Sequence, residues 1–136
     1  MRLVIDTNVF VSAVFFGGVP GQILDLWKEG DVDVLMSEEI LAEYVDVFRR
    51  LAKRYPGIDP DPIVGLLVKK AVFVQPARLP EQVCVDPDDD KFVAAAIGGQ
   101  AEIVVSGDRH LLGISGRRGL VVMKPSAFLD HFGSRP

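Results

Sequence analysis

The 136-residue sequence has little cysteine, an excess of negative over positive charge, and no long apolar run. Cys84 is the single cysteine, which excludes an internal disulfide framework and a metal site built from several cysteines. No segment approaches the roughly 20 consecutive apolar residues of a membrane-spanning helix, so no membrane association is expected. The first residues lack the layout of a secretory signal, because Asp6 and Asn8 interrupt the apolar run. These absences predict a cytoplasmic protein.

The charge balance also limits the classes of function. Lysine and arginine total 15 against 19 aspartate and glutamate residues, which gives a net charge of −4. This argues against a protein that holds nucleic acid by general electrostatics, where a basic domain is expected. The objection weakens if the acids are gathered in one place around metal ions. The length and the hydrophobic fraction of 49% predict one globular domain over residues 1–136 with a sizeable core.

Short apolar runs alternate with amphipathic segments along the chain. The run Leu3-Val4-Ile5 has no polar alternation, which is typical of a parallel strand covered on both faces. The predicted strands are 2–5, 33–37, 71–75, 102–106 and 120–123, and the predicted helices are about 7–15, 20–29, 38–54, 61–70, 88–98, 108–112 and 125–132. The turn-rich connection 76–87 can include a short extended piece at 83–85. The pattern predicts an α/β fold of three layers, with a mostly parallel central sheet of about five strands flanked by helices.

Four acidic residues are predicted to meet at one edge of this sheet. Asp6 follows the first strand and Asp108 follows the fourth, and the carboxyl ends of parallel strands share an edge where such folds place their sites. At about 100° per residue, Asp90 lies in line with the stripe of the 88–98 helix that faces the sheet. Glu43 lies at the border of the apolar face of the 38–54 helix. We therefore expect Asp6, Glu43, Asp90 and Asp108 to form one site.

Four neighbouring carboxylates need a cation. They repel one another and lose hydration, which raises their pKa values or destabilises the fold. Oxygen ligands without a cysteine or histidine pair favour Mg²⁺ or Mn²⁺ over zinc. Such ions support phosphodiester hydrolysis, because they activate a water and stabilise the charge that develops on the phosphoryl and leaving oxygens.

A second set of residues is expected to support this site or to contact substrate phosphates: Asn8, Ser106, Asp88 and Asp89 as support, and Lys91 and Arg109 as weaker candidates for phosphate contacts. Each acid also has a purely structural interpretation. An Asp between a strand and a helix is often an N-cap, as Asp6 and Asp108 can be. The Asp88-Asp89-Asp90 run suits a helix N-terminus, and Glu43 alone suits a solvated helix face. Only their convergence on one edge favours chemistry.

Four segments together resemble the signature motifs of the PIN domain family of metal-dependent ribonucleases. LVIDTNVFVSA is similar to the opening strand of that family, with its first acid at Asp6, and SEEILAEYVDVF resembles the second motif, with Glu43. DPDDDKFVAAAI resembles the third motif, with Asp90, and IVVSGDRHLL resembles the fourth, with Asp108. Ser106 stands where many relatives carry threonine.

The resemblance implies a PIN-like fold, Mg²⁺ or Mn²⁺ at the four acids, and endonucleolytic cleavage of RNA. It also implies kinship with VapC-like toxins of toxin–antitoxin pairs, and therefore a small antitoxin partner and a homodimer. Two other functions stay open: an aspartate-based phosphatase acting on a small molecule, and a non-catalytic PIN-like module for RNA binding or assembly. The phosphatase calls for a lysine near the site and for a second acid two residues after Asp6, where this chain has Asn8.

Overall fold

The computed structural model describes residues 1–135, which form a five-stranded sheet covered by helices. The strands are β1 (Arg2–Ile5), β2 (Asp33–Met36), β3 (Val72–Phe73), β4 (Ile103–Val105) and β5 (Val122–Met123). The helices are α1 (Thr7–Phe16), α2 (Gly18–Lys28), α3 (Glu38–Arg54), α4 (Asp61–Lys70), α5 (Asp90–Gly98), α6 (Arg109–Leu112) and α7 (Pro125–Gly133). The strand order is β3-β2-β1-β4-β5 and every pairing is parallel. The predicted α/β architecture is confirmed.

The central strands β1 and β4 end side by side. Leu3 and Val4 in β1 are fully buried, as expected for a strand covered on both faces. Ile5 pairs with Val105 in the parallel ladder, and the backbone N–H of Asp6 donates to the carbonyl of Val105 at 2.9 Å. The chain therefore leaves both strands at the same edge of the sheet.

Helix α3 packs its apolar face on this edge. The Ser37 hydroxyl accepts from the backbone N–H of Ile40 at 3.3 Å and so caps the N-terminus of α3. Tyr44 is fully buried, its ring stacks on Phe10 at 4.8 Å, and its hydroxyl donates to the carbonyl of Ile5. This bond fixes α3 against the end of β1, and so it places Glu43 beside the residues that follow that strand.

The connection before α5 differs from the prediction. No strand forms at 83–85, and a 3-10 helix over Pro87–Asp89 precedes α5, which begins at Asp90 and not at residue 88. The backbone N–H of Ala77 donates to the carbonyl of Ala94 at 2.9 Å. A Cβ atom added at Gly98 would lie 2.0 Å from the carbonyl oxygen of Gln75. The chain at residues 75–77 therefore crosses directly over the end of α5.

Within residues 1–135, no single helix has both the length and the apolar character needed to cross a membrane. Helices α1 and α2 reach the required length and apolar character only as a pair, and that pair is bent by 94°.

Candidate active site

Asp6 and Asp108 meet through the hydroxyl of Ser106. Ser106 Oγ donates to Asp6 Oδ2 at 2.8 Å and accepts from the backbone N–H of Asp108 at 3.0 Å. Ser106 is fully buried and Asp6 is 7% exposed. Burial raises the pKa of Asp6, and the charges of Asp108 and Glu43 raise it further against the lowering effect of the Ser106 hydrogen bond. The two strand-end acids and the predicted supporting serine are therefore brought together.

The structural roles of these two acids differ. Asp6 is the N-cap residue of α1, but its side chain makes no capping hydrogen bond. Asp108 Oδ1 accepts from the backbone N–H of His110 at 2.8 Å and so caps α6. The capping interpretation thus holds for Asp108 and leaves the buried carboxylate of Asp6 without a helix-capping role.

Glu43 lies at the same edge and is held by two side chains. Its Oε1 is 2.7 Å from Lys91 Nζ, and its Oε2 accepts from the hydroxyl of Thr7. The side chains of Lys91 and Glu43 are 15% and 29% exposed. Burial alone would lower the pKa of Lys91, but the hydrogen bond and the charge of Glu43 raise it above its usual value. Glu43 is therefore an ion-paired residue of the site, and not the solvated helix residue of the alternative interpretation.

Asp90, predicted as a ligand, binds the backbone of the preceding loop with its carboxylate. Its Oδ1 accepts from the backbone N–H of Cys84 at 2.7 Å, and its Oδ2 accepts from that of Val83 at 3.0 Å. Burial raises the pKa of Asp90, but these backbone donors together lower it below the usual value. The Asp90 carboxylate, at the start of α5, therefore anchors residues 83–84 of the connecting loop.

Asp89, predicted only as a supporting residue, is the acid that interacts with the site. Its pKa is raised from 3.8 to about 6, first by burial and then by the charges of Asp6 and Asp108. Asp86 and Glu43 contribute smaller effects in the same direction. Asp89 is therefore a residue of the third motif whose ionisation is coupled to the charges of Asp6 and Asp108.

The remaining predicted residues line two grooves beside the acids. A groove of about 450 Å³ is lined by Asp6, Asn8, Val9, Ser12, Pro20, Gly107 and Asp108. A second groove of about 310 Å³ includes Asp88, Asp90, Lys91 and Glu39. Arg109 is exposed directly after Asp108. Asn8 is thus beside the strand-end acids, whereas Asp88 is exposed on the other groove.

Two contacts of the site were not predicted from the sequence. Thr7 directly follows Asp6 in the sequence, and its hydroxyl donates to Glu43. Lys91, a predicted candidate for a phosphate contact, pairs with Glu43, which lies 48 residues earlier in the chain. No local pattern relates residues at that separation.

The donor chemistry of the site fits a hard divalent cation. In residues 1–135, no group of three or more histidine, cysteine, aspartate or glutamate side chains is already arranged to hold a metal ion. The acids nevertheless offer carboxylate oxygens, which Mg²⁺ and Mn²⁺ prefer. The raised pKa values of Asp6 and Asp89 indicate negative charge that lacks compensation, and a bound cation would relieve it. The oxygen donors of these residues therefore suit such an ion in their chemistry.

Comparisons with known proteins identify the family of the chain. A family model described as PIN domain matches residues 2–110. The chain is 32% identical, over 147 aligned positions, to the uncharacterised protein MJ1680 of Methanocaldococcus jannaschii, covering 97% of this chain and 92% of that protein. PIN domains are generally nucleases that use divalent metals. The chain belongs to the PIN domain family.

Proposed function

We propose that this PIN domain is an endoribonuclease that depends on Mg²⁺ or Mn²⁺, with Asp6, Glu43, Asp89 and Asp108 as the acids that hold the ion. The supporting observation is electrostatic: at the carboxyl edge of the sheet, neighbouring acids and burial raise the pKa of both Asp6 and Asp89. Such unfavourable charge is typical of functional sites. Asp89 takes the place predicted for Asp90, whose carboxylate is occupied by backbone donors.

The chain's own residues would position the substrate and the acids. The bound ion supplies an activated water and neutralises charge at the phosphate. Ser106 orients the Asp6 carboxylate through its 2.8 Å hydrogen bond. The groove of about 450 Å³ beside Asp6 and Asp108 would take the RNA strand, and Arg109, which is exposed directly after Asp108, would contact a phosphate. Hydrolysis then joins the water oxygen to phosphorus and breaks the bond from phosphorus to the departing ribose oxygen, which takes up a proton.

The test compares Asp6→Asn with Asp46→Asn, a change of an exposed acid on α3 that pairs only with Arg50. We expect the wild type and Asp46→Asn to cleave a defined single-stranded RNA with Mn²⁺ and to lose cleavage in a chelator. Asp6→Asn should keep its circular dichroism spectrum and lose cleavage. Cleavage retained by Asp6→Asn in a nuclease-free preparation would contradict the assignment.

Two further results would favour the other functions. A phosphate mimic trapped covalently at Asp6 would indicate the small-molecule phosphatase. An unchanged melting temperature at high Mn²⁺ would indicate a non-catalytic module for RNA binding or assembly, because an ion that binds the native state must stabilise it. The presence of Asn8, and not an acid, two residues after Asp6 supports the nuclease over the phosphatase.

A toxin role is part of the same proposal. Its support is the resemblance of the four motifs to the PIN domain family, which implies kinship with VapC-like toxins and also underlies the proposed homodimer and the small antitoxin. An antitoxin would stop cleavage by covering the acids with a basic side chain. The expected result is that a short protein encoded beside this gene forms a complex with it and abolishes RNA cleavage. A neighbouring protein that neither binds nor inhibits would contradict the toxin role.

A further inference from the structure

Both oxygens of the Glu43 carboxylate are already engaged by the protein itself. Oε1 receives the Lys91 ammonium at 2.7 Å, and Oε2 receives the Thr7 hydroxyl. The contacts join the start of α1, the middle of α3 and the first turn of α5. The ion pair is largely shielded from water, since its two side chains are 15% and 29% exposed. Glu43 is therefore held in one place without a metal.

Lys91 is also the cation that pairs with an acid of this site, Glu43. Three ion pairs join side chains within residues 1–135, and those of Asp46 with Arg50 and of Glu81 with Arg118 involve none of the proposed ligands. Asp6 is contacted by the neutral hydroxyl of Ser106. Among these three ion pairs, the positive charge in direct contact with a proposed ligand therefore comes from Lys91.

A divalent cation and the Lys91 ammonium would compete for the same oxygen. Mg²⁺ binds carboxylate oxygens at about 2.0–2.1 Å and demands a nearly ideal octahedral arrangement. An ammonium on the same Oε1 would then stand only a few ångströms from the ion, and two cations at that distance repel strongly in a partly buried site. Lys91 has a flexible four-carbon stem, which lets its charged end move away while α5 stays in place.

We propose that Lys91 is a built-in counter-cation, which neutralises Glu43 in the metal-free protein and leaves that carboxylate when a divalent cation binds. The proposal rests on the proposed function, since it takes Glu43 as a metal ligand. It gives Lys91 two effects of opposite sign. Lys91 stabilises the protein without metal, and it weakens the affinity of the site for metal.

The first test measures Mn²⁺ binding by titration calorimetry at low ionic strength. Lys91→Met keeps the apolar stem and removes the charge, and Lys53→Met removes a charge from an exposed lysine in the last turn of α3. We expect Lys91→Met to bind Mn²⁺ about tenfold more tightly than the wild type, within what one nearby unit charge contributes. Its metal-free form should melt at a lower temperature and gain more from Mn²⁺. Lys53→Met and Lys91→Arg should bind like the wild type.

A merely structural lysine predicts the opposite result. If Lys91 only held Glu43 in position for the ion, Lys91→Met would bind Mn²⁺ more weakly. Weaker or unchanged binding overturns the proposal.

The second test uses the wild type and therefore does not depend on the folding of a variant. In nitrogen-15 spectra of the lysine side chains, the paired Lys91 ammonium should give a signal protected from solvent exchange, and saturating Mg²⁺ should remove that protection. A signal that persists at saturation overturns the proposal and leaves the nuclease assignment intact. A wild type that binds neither Mn²⁺ nor Mg²⁺ overturns both, which distinguishes the two failures.

Discussion

Separate substitutions of Asp89 and Asp90 should show that metal binding depends on Asp89 and that anchoring of the loop depends on Asp90. Asp89→Asn should abolish Mn²⁺ binding and RNA cleavage without lowering the melting temperature at pH 7. Its ionised form is unfavourable in the folded protein, because burial and the charges of Asp6 and Asp108 raise its pKa to about 6. Removal of that charge should leave the metal-free protein at least as stable as the wild type.

Asp90→Ala should instead destabilise the protein. The substitution removes the acceptor for the N–H groups of Val83 and Cys84, which lie at 3.0 and 2.7 Å from the carboxylate. Hydrogen bonds to charged groups contribute about 1.5–3 kcal/mol each, and the partial exposure of Asp90 favours the low end. The loss is then about 3 kcal/mol, which lowers the melting temperature of a chain of this length by about 10 °C. Asp90→Asn keeps one acceptor oxygen and should fall between Asp90→Ala and the wild type.

The assays are thermal unfolding followed by circular dichroism, Mn²⁺ titration calorimetry, and cleavage of a defined RNA, all on the same preparations. Cleavage by Asp90→Ala should persist below its melting temperature. The reasoning is refuted if Asp90→Ala loses Mn²⁺ binding with an unchanged melting temperature while Asp89→Asn remains active, because Asp90 would then be the ligand.

Three further predictions follow from the same contacts. Ser106→Ala should reduce cleavage about 10–100-fold with the fold retained, since it removes the donor that orients Asp6, and kinetics at saturating Mn²⁺ would check this. The metal-free wild type should become less stable as pH rises from about 4 to about 7, because the folded protein holds a proton on Asp89 up to a pKa of about 6, whereas the unfolded chain releases it near 3.8. Urea unfolding across this pH range measures the effect. Asp89→Asn should reduce the dependence of stability on pH, and an unchanged dependence would contradict the assignment. Gly98→Ala should lower the free energy of unfolding by about 1–3 kcal/mol, since its Cβ would lie 2.0 Å from the carbonyl oxygen of Gln75. A melting temperature equal to that of the wild type would show that residues 75–77 do not pack tightly on α5.

The parallel sheet and its first two acids were predictable from local sequence. Leu3-Val4-Ile5 is apolar on both faces, and this pattern arises because helices cover both sides of a parallel strand. Asp6 follows β1 and Asp108 lies three residues beyond β4. Since parallel strands end at a common edge, their proximity follows from topology and needs no knowledge of the loops.

Two features of the site depended on the tertiary structure: which acid of the third motif we propose as a ligand, and the pairing of Glu43 with Lys91. Each helical residue is rotated by about 100° from the one before, so a change of one residue between Asp89 and Asp90 decides which carboxylate faces the acids. The 3-10 helix before α5 and the N–H groups of the 83–84 loop, which bind the Asp90 carboxylate, are the reason that we propose Asp89 for this position. The contact of Lys91 with Glu43 spans 48 residues and forms only when α3 and α5 converge on the sheet edge. Local periodicity determines which residues reach the edge, whereas the path of the loops and the packing of helices determine which atoms meet there.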